Sequence, residues 1–203
     1  MELNSIKHNA KNYGIPIIRS ESHKVLEQIV SEKQPKRILE IGTAVGYSGI
    51  LMLKTATNAN LTTIEHNKDF AASARQNFKH EKVSKRAKII IGDCMVEVAK
   101  MLASKSYDNH FDFIFLDGPK AQYELILDNL VMLLAPGGTI VADNVLFRGY
   151  VTGTENAPTK RYKTIIKRLN NFIEKCKNHE ELTNFKIIKI EDGMIQAQKV
   201  KND

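Results

Sequence analysis

Apolar and polar positions fall into two alternating patterns along this chain. Short consecutive apolar runs, closed by glycine or an acid, are separated by stretches whose apolar residues recur every three to four positions. The first pattern predicts strands over 37–41, 60–65, 87–91, 111–116 and 139–142. The second predicts helices over 47–57, 68–79, 94–103 and from Pro119, suited to a first turn, to about Leu134. Before the first strand the spacing gives a short polar helix over 5–12, then an extended 14–18 with Pro16. A helix capped by Ser20 or Ser22 follows through Val30, burying Val25, Leu26, Ile29 and Val30. Pro136-Gly137-Gly138 turns the chain into the fifth strand. After it, 145–158 reads as a loop over the site, 159–177 as a long basic helix, and 185–190 with 194–199 as a hairpin joined by Asp192-Gly193. Strand-helix alternation implies parallel strands. The expected fold is α/β, a doubly wound, mostly parallel seven-stranded sheet with a C-terminal antiparallel hairpin. One domain is expected over 1–203, with 1–35 as a helical extension.

The junction 37–48, RILEIGTAVGYS, carries the first chemical signal. A buried strand runs into a glycine turn and then a helix, with Gly42, Gly46 and Gly49 where backbone must bend or approach a ligand. Three residues separate Gly42 from Gly46, so the turn lacks the close glycine pair that admits a pyrophosphate. Adenosine with a methionine side arm fits that description. The E-x-G-x-x-x-G pattern resembles that of S-adenosylmethionine-dependent methyltransferases; an ordinary strand-turn-helix joint is the other reading. Glu65 ends the next strand, where a carboxylate can take both ribose hydroxyls. A solvated surface glutamate is its bland alternative.

Asp117 follows the fourth strand, and Asp143 and Asn144 follow the fifth. In open α/β sheets the carboxyl ends of strands face the ligand. Two carboxylates and an amide oxygen suit a hard cation such as Mg2+, whereas zinc would call for His or Cys. Helix and turn capping is the competing role for such residues. Lys120, three residues past Asp117, is placed on the first turn of a helix beside this edge. A nearby cation and helix N-terminus would disfavour its ammonium form, making it a proton acceptor or else a charge steadying an oxyanion.

Composition narrows the setting. At 203 residues the chain suits one substantial core, and no apolar run approaches the roughly 18 residues of a membrane span. A cytoplasmic protein without membrane attachment is expected, since the first residues lack the core of a signal peptide. Cys94 and Cys176 make neither a disulfide framework nor a metal spacing. The net charge of +7 invites a polyanionic partner, although the lysine and asparagine bias of an AT-rich genome would also produce it. The charge is clustered: Lys79, His80, Lys82, Lys85, Arg86 and Lys88 share one connection. Lys160, Arg161, Lys163, Lys167, Arg168, Lys175 and Lys177 share the late helix.

Taken together, EIGTAVGYS, FLDGPKAQY, LLAPGGTIVADNVLFRGYV and IEDGM resemble the cation-dependent O-methyltransferase family that includes catechol and caffeoyl-coenzyme A methyltransferases. The similarity runs in order from about Ile15 to the end. The basic character and the IPIIRSES opening are most similar to the bacterial branch that methylates 5-hydroxyuridine in tRNA. This resemblance implies a Rossmann-like class I methyltransferase fold and S-adenosylmethionine held by Gly42, Gly46, Tyr47, Ser48, Glu65, Asp93 and Asp117. It also implies Mg2+ or another divalent cation on Asp117, Asp143 and Asn144, and Lys120 with Asp117 as the catalytic pair. The expected partner is the anticodon region of tRNA and the expected assembly a homodimer. Two departures stand out: Gly118-Pro119 precedes Lys120 where relatives carry a small pair without proline, and Lys189-Ile190-Glu191 replaces an apolar-proline pair. A catechol-type acceptor, which offers the same pair of adjacent oxygens, is the alternative substrate. A non-catalytic nucleotide-sensing or RNA-binding module would not need Asp117, Lys120, Asp143 and Asn144 together.

Overall fold

The computed structural model describes residues 3–153 and 159–201. Helices α1 (Leu3–Asn12) and α2 (Ser20–Lys33) precede β1 (Arg37–Ile41). There follow α3 (Tyr47–Thr55), β2 (Asn60–Glu65), α4 (Lys68–His80), β3 (Ala87–Ile91), α5 (Cys94–Ala103) and β4 (Phe111–Leu116). The chain ends with α6 (Tyr123–Leu133), β5 (Leu134–Asp143), α7 (Lys160–Asn178), β6 (Leu182–Ile188) and β7 (Met194–Lys199). The strands form one seven-stranded sheet in the order β3-β2-β1-β4-β5-β7-β6. Pairs β1–β2, β2–β3 and β4–β5 are parallel, while β7 runs antiparallel to both β5 and β6. The expected mostly parallel sheet with a closing antiparallel hairpin is therefore present.

The chain divides into two compact units, Met1–Glu97 and Val98–Asp203. In the first, β1 is buried from Ile38 to Ile41, as a strand covered on both faces must be, and α4 packs inward through Ala71, Ala74 and Phe78 at helical spacing. In the second, β4 and α6 are buried along most of their length, and α7 packs with Leu169, Phe172, Ile173 and Cys176 inward. Cys94 and Cys176 are buried and form no disulfide. Among the described residues no helix is long and apolar enough to cross a membrane.

Several boundaries differ from the sequence expectation; β6 spans Leu182–Ile188 where 185–190 was expected, and three further differences lie at element starts. Neither Ser20 nor Ser22 caps α2; Arg19 holds that place without a side-chain bond, Ser20 Oγ accepts from Lys7 Nζ at 2.8 Å, and Ser22 is buried. Pro119 does not open α6. Its extended backbone (ψ 109°) starts a 3-10 turn over Lys120–Gln122, closed by Gln122 N donating to Pro119 O at 2.8 Å. The strand expected from Thr139 begins at Leu134, directly after α6. It absorbs Pro136-Gly137-Gly138 through a register shift against Phe111 and Phe113, with Gly137 at φ 76°. Of the expected loop 145–158, residues 145–153 are turns and 154–158 lie outside the described residues.

Candidate active site

In the first unit the glycine turn is built from below by a carboxylate. Gly42 takes φ 98° and donates to Ile64 O at 3.0 Å; Ala44 takes φ 44°, and its N–H donates to Glu65 Oε2 at 2.9 Å. Asn67 N donates to Glu65 Oε1 at 2.8 Å. Both Glu65 oxygens are thus fixed by backbone N–H groups, and a carboxylate oxygen that accepts one bond can still accept another. Gly46, at φ 83°, leaves no room for a side chain, because a Cβ there would stand 2.8 Å from Phe78 Cε1. Gly46→Ala should therefore cost about 1 to 3 kcal/mol of stability, read by urea denaturation; an unchanged midpoint would show that α4 yields freely.

Sequence reasoning missed the layer beneath this turn. Glu40 is fully buried and accepts from Ser48 Oγ at 2.5 Å and from Thr63 Oγ1 at 2.7 Å. Thr63 has spent its proton, so Thr43 Oγ1 donates to it at 2.5 Å. Ser48 therefore directs its proton inward and can offer a ligand only acceptance. The signal was available: Glu40 is an acid inside an otherwise apolar strand. Tyr47 is 4% exposed, with its ring 5.3 Å from that of His23, and burial followed by Glu27 raises its hydroxyl pKa. Burial likewise lowers the His23 pKa. Asp93 is exposed and caps α5, accepting from Met95 N at 2.9 Å.

In the second unit the ends of β4 and β5 carry Asp117, Asp143 and Asn144. Asp143 is fully buried; its Oδ1 accepts from Asn144 N at 2.8 Å, and its Oδ2 has no hydrogen-bond partner. Burial, and then the neighbouring Asp117 carboxylate, raise the Asp143 pKa to about 7. Asn144 adopts φ 58°, in the left-handed region that asparagine tolerates. Among the described residues no three His, Cys, Asp or Glu side chains group as a metal site. The set here is two carboxylates and a carboxamide, all oxygen donors. An unsatisfied buried carboxylate oxygen beside a second carboxylate is the arrangement a hard cation would relieve, so these residues fit Mg2+.

Lys120 stands on the 3-10 turn, and its Nζ lies 2.9 Å from Asp117 Oδ1, both side chains being 19% exposed. Burial acts against the charge, but Asp117 and Asp143 outweigh it and raise the pKa, supplying the negative field that the expectation left out. Tyr123, also missed, is fully buried and shares its hydroxyl proton between the carbonyls of Leu116 at 3.1 Å and Asp143 at 3.2 Å. It ties together the two strand ends that carry the carboxylates. Phe147, Tyr150 and Tyr162 form a mutual ring cluster with centroids 5.4 to 5.6 Å apart.

The basic clusters are only partly surface. Arg86 donates to the carbonyls of Leu53, Ala56 and Ala59, closing the end of α3. Arg168 donates to Ala121 O at 2.7 Å, bracing the 3-10 turn, and Lys175 pairs with Asp128 at 2.6 Å. Lys160, Lys163, Lys167 and Lys177 remain exposed; the side chain of Arg161 lies outside the described residues.

The glycine turn with its acid at the end of β2, and the sheet order with its antiparallel end, define the class: an α/β methyltransferase fold. Residues 2–200 match the O-methyltransferase family, and the chain belongs to it. It is 33% identical to the catechol O-methyltransferase of Niastella koreensis over 141 residues, covering 68% of this chain and 63% of that protein. It is 30% identical to the catechol O-methyltransferase of Bos taurus, covering 62% of this chain and 47% of that one. The chain thus spans about half to two-thirds of the length of the curated relatives it matches. The S-adenosylhomocysteine-bound Podospora anserina methyltransferase PaMTH1 superposes with a TM-score of 0.73 at 27% identity, over 92% of this chain and 80% of that one. The Bacillus cereus O-methyltransferase in complex with S-adenosylhomocysteine has a TM-score of 0.82 at 24% identity, over 97% and 90%.

Proposed function

We propose that the protein is a Mg2+-dependent O-methyltransferase that moves a methyl group from S-adenosylmethionine to the 5-hydroxyl of 5-hydroxyuridine in tRNA. The buried, unsatisfied Asp143 carboxylate beside Asp117 supports the cation-dependent part of this reading, within the family membership. S-adenosylmethionine supplies the methyl group, and Glu65 presents its outer lone pairs to the ribose hydroxyls; Gly42, Gly46, Tyr47, Ser48 and Asp93 complete its proposed site. Asp117, Asp143 and Asn144 would hold the cation, whose chemistry when bound is to make the acceptor hydroxyl more acidic. Lys120, paired with Asp117, fits a fixed positive charge steadying the acceptor oxygen better than a proton acceptor. In the net reaction an O–CH3 bond forms as an S–CH3 bond breaks, the hydroxyl proton leaves, and S-adenosylhomocysteine is released.

Support for a tRNA acceptor comes from the second unit's surface. Lys160, Lys163 and Lys167 are exposed along the first half of α7, and Tyr162, between them, belongs to the ring cluster next to exposed Arg148. Lysines contact phosphates and aromatic rings stack on splayed bases. Replacing Lys160, Lys163 and Lys167 with Glu should weaken tRNA binding and flatten its salt slope by about 2 to 3, while S-adenosylmethionine affinity holds. Unchanged tRNA binding would make this face merely solvated. A catechol-type small molecule is the second reading, favoured by the names of the curated relatives; methylation of a free catechol would ignore the triple change. A cytoplasmic homodimer belongs to the same proposal, and light scattering tests its assembly.

A further inference from the structure

The segment from Asn144 to Val151 departs furthest from ordinary backbone in the second unit. Asn144, Phe147 and Arg148 take φ of 58°, 44° and 56°, and Gly149 takes 77°. Left-handed backbone at a phenylalanine and an arginine costs on the order of 1 kcal/mol each, so it persists only where neighbouring structure imposes it. Here the neighbour is the turn between β6 and β7. Val145 N donates to Gly193 O at 3.0 Å and Leu146 N to Asp192 O at 2.7 Å. Arg148 N, the strained residue itself, donates to Asp192 Oδ1 at 3.1 Å. Asp192 is 7% exposed. Gly193, at φ 76°, leaves the space that Leu146 fills, since a Cβ there would run into Leu146 Cγ.

We propose that Asp192 is a positioning residue for methyl transfer: its carboxylate holds Arg148 N–H and so sets the segment that links Asn144 to the Phe147 and Tyr150 rings. The proposal rests on the reading of this unit as the acceptor's site. Two of the three ties to the turn are backbone to backbone and independent of side-chain identity, so the turn alone anchors Val145 and Leu146. Only the third needs a side chain, and it falls at Arg148, one of the two bulky residues held in left-handed backbone. An acceptor oxygen in this unit must meet Asn144 while its ring meets the cluster, and a displacement of about 1 Å between them can cost roughly 100-fold in rate.

The test compares Asp192→Ala, which removes the acceptor for Arg148 N–H, with Asp192→Asn, which keeps an oxygen there and loses the charge. Three readouts are taken on the full chain: amide exchange of 145–151 by mass spectrometry, S-adenosylmethionine affinity by calorimetry, and steady-state kinetics with tRNA carrying 5-hydroxyuridine and with a free catechol. The expected result is faster exchange and a 10- to 100-fold lower kcat/KM for the acceptor in Asp192→Ala, with cofactor affinity unchanged and Asp192→Asn close to the parent. If Asp192→Ala does not fold, Asp192→Ser takes its place. The proposal is overturned if exchange speeds up while kcat/KM stays at the parent's value, if cofactor affinity falls in step, or if Asp192→Asn fails as badly as alanine. A parent protein that methylates neither acceptor overturns the functional reading itself, and is recognised because the loss then precedes any substitution.

Discussion

Asp143→Asn should lower methyl transfer by more than about 100-fold and, at pH 8 in the presence of a chelator, should make the protein more stable than its parent. The two effects have one cause. Asp143 is fully buried, its Oδ2 is unpartnered, and burial together with Asp117 raises its carboxyl from 3.8 to about 7. A carboxyl whose folded pKa lies above its unfolded value binds its proton more tightly in the folded chain. Its stability contribution is therefore fully present below about pH 4 and is lost as pH rises through about 7. Asparagine carries no charge to bury, and it retains an oxygen for Asn144 N–H. Melting curves of the chelator-treated proteins should coincide near pH 4, and the variant should melt several degrees higher at pH 8, as roughly 1 to 3 kcal/mol would produce. Added Mg2+ should raise the melting temperature of the parent and leave the variant where it was. A variant that still transfers methyl groups, or that melts lower than the parent at pH 8, removes Asp143 from the cation site.

What could be read from residues alone was the part of the fold governed by local pattern. The parallel strand pairs within each unit, the hairpin and Asp117, Asp143 and Asn144 at strand ends follow from apolar runs interrupted by acids and glycines, which is one-dimensional information. Features set by register between distant segments escaped. Ser48 was read only for its place beside the glycine turn, and the core bond that turns its proton toward Glu40, eight residues earlier, was not foreseen. Arg86 and Arg168 counted as surface charge until their carbonyl partners, 27 to 33 and 47 residues away in the chain, became visible. Pro119 was correctly recognised as a punctuation mark and misplaced by one turn, because proline permits a 3-10 turn as readily as an α-helical one. Lys120 was judged against a cation and a helix dipole, and the structure adds the nearer Asp117 carboxylate.

Glu65→Gln should weaken S-adenosylmethionine binding nearly as much as Glu65→Ala, each by roughly 2 to 4 kcal/mol, or about 30- to 1,000-fold in Kd. A glutamine differs from glutamate by one amide group and would ordinarily be the mild change. At this position both oxygens already accept backbone N–H bonds, from Ala44 at 2.9 Å and from Asn67 at 2.8 Å. Whichever way the carboxamide is turned, its NH2 faces a backbone donor, and a buried donor without an acceptor costs about 1 to 3 kcal/mol. Relief requires either Ala44, held at φ 44°, or the Asn67 cap of α4 to move. The first alternative opens the glycine turn and the second rotates the ribose acceptor away, so the adenosine half of the cofactor loses contacts in both. Calorimetric titration with S-adenosylmethionine and separately with adenosine distinguishes the outcomes: both ligands should lose affinity by the same factor, because the damage lies under the ribose. Glutamine binding as tightly as glutamate would mean that the ribose hydroxyls do not meet Glu65, and that its carboxylate serves only to shape the turn.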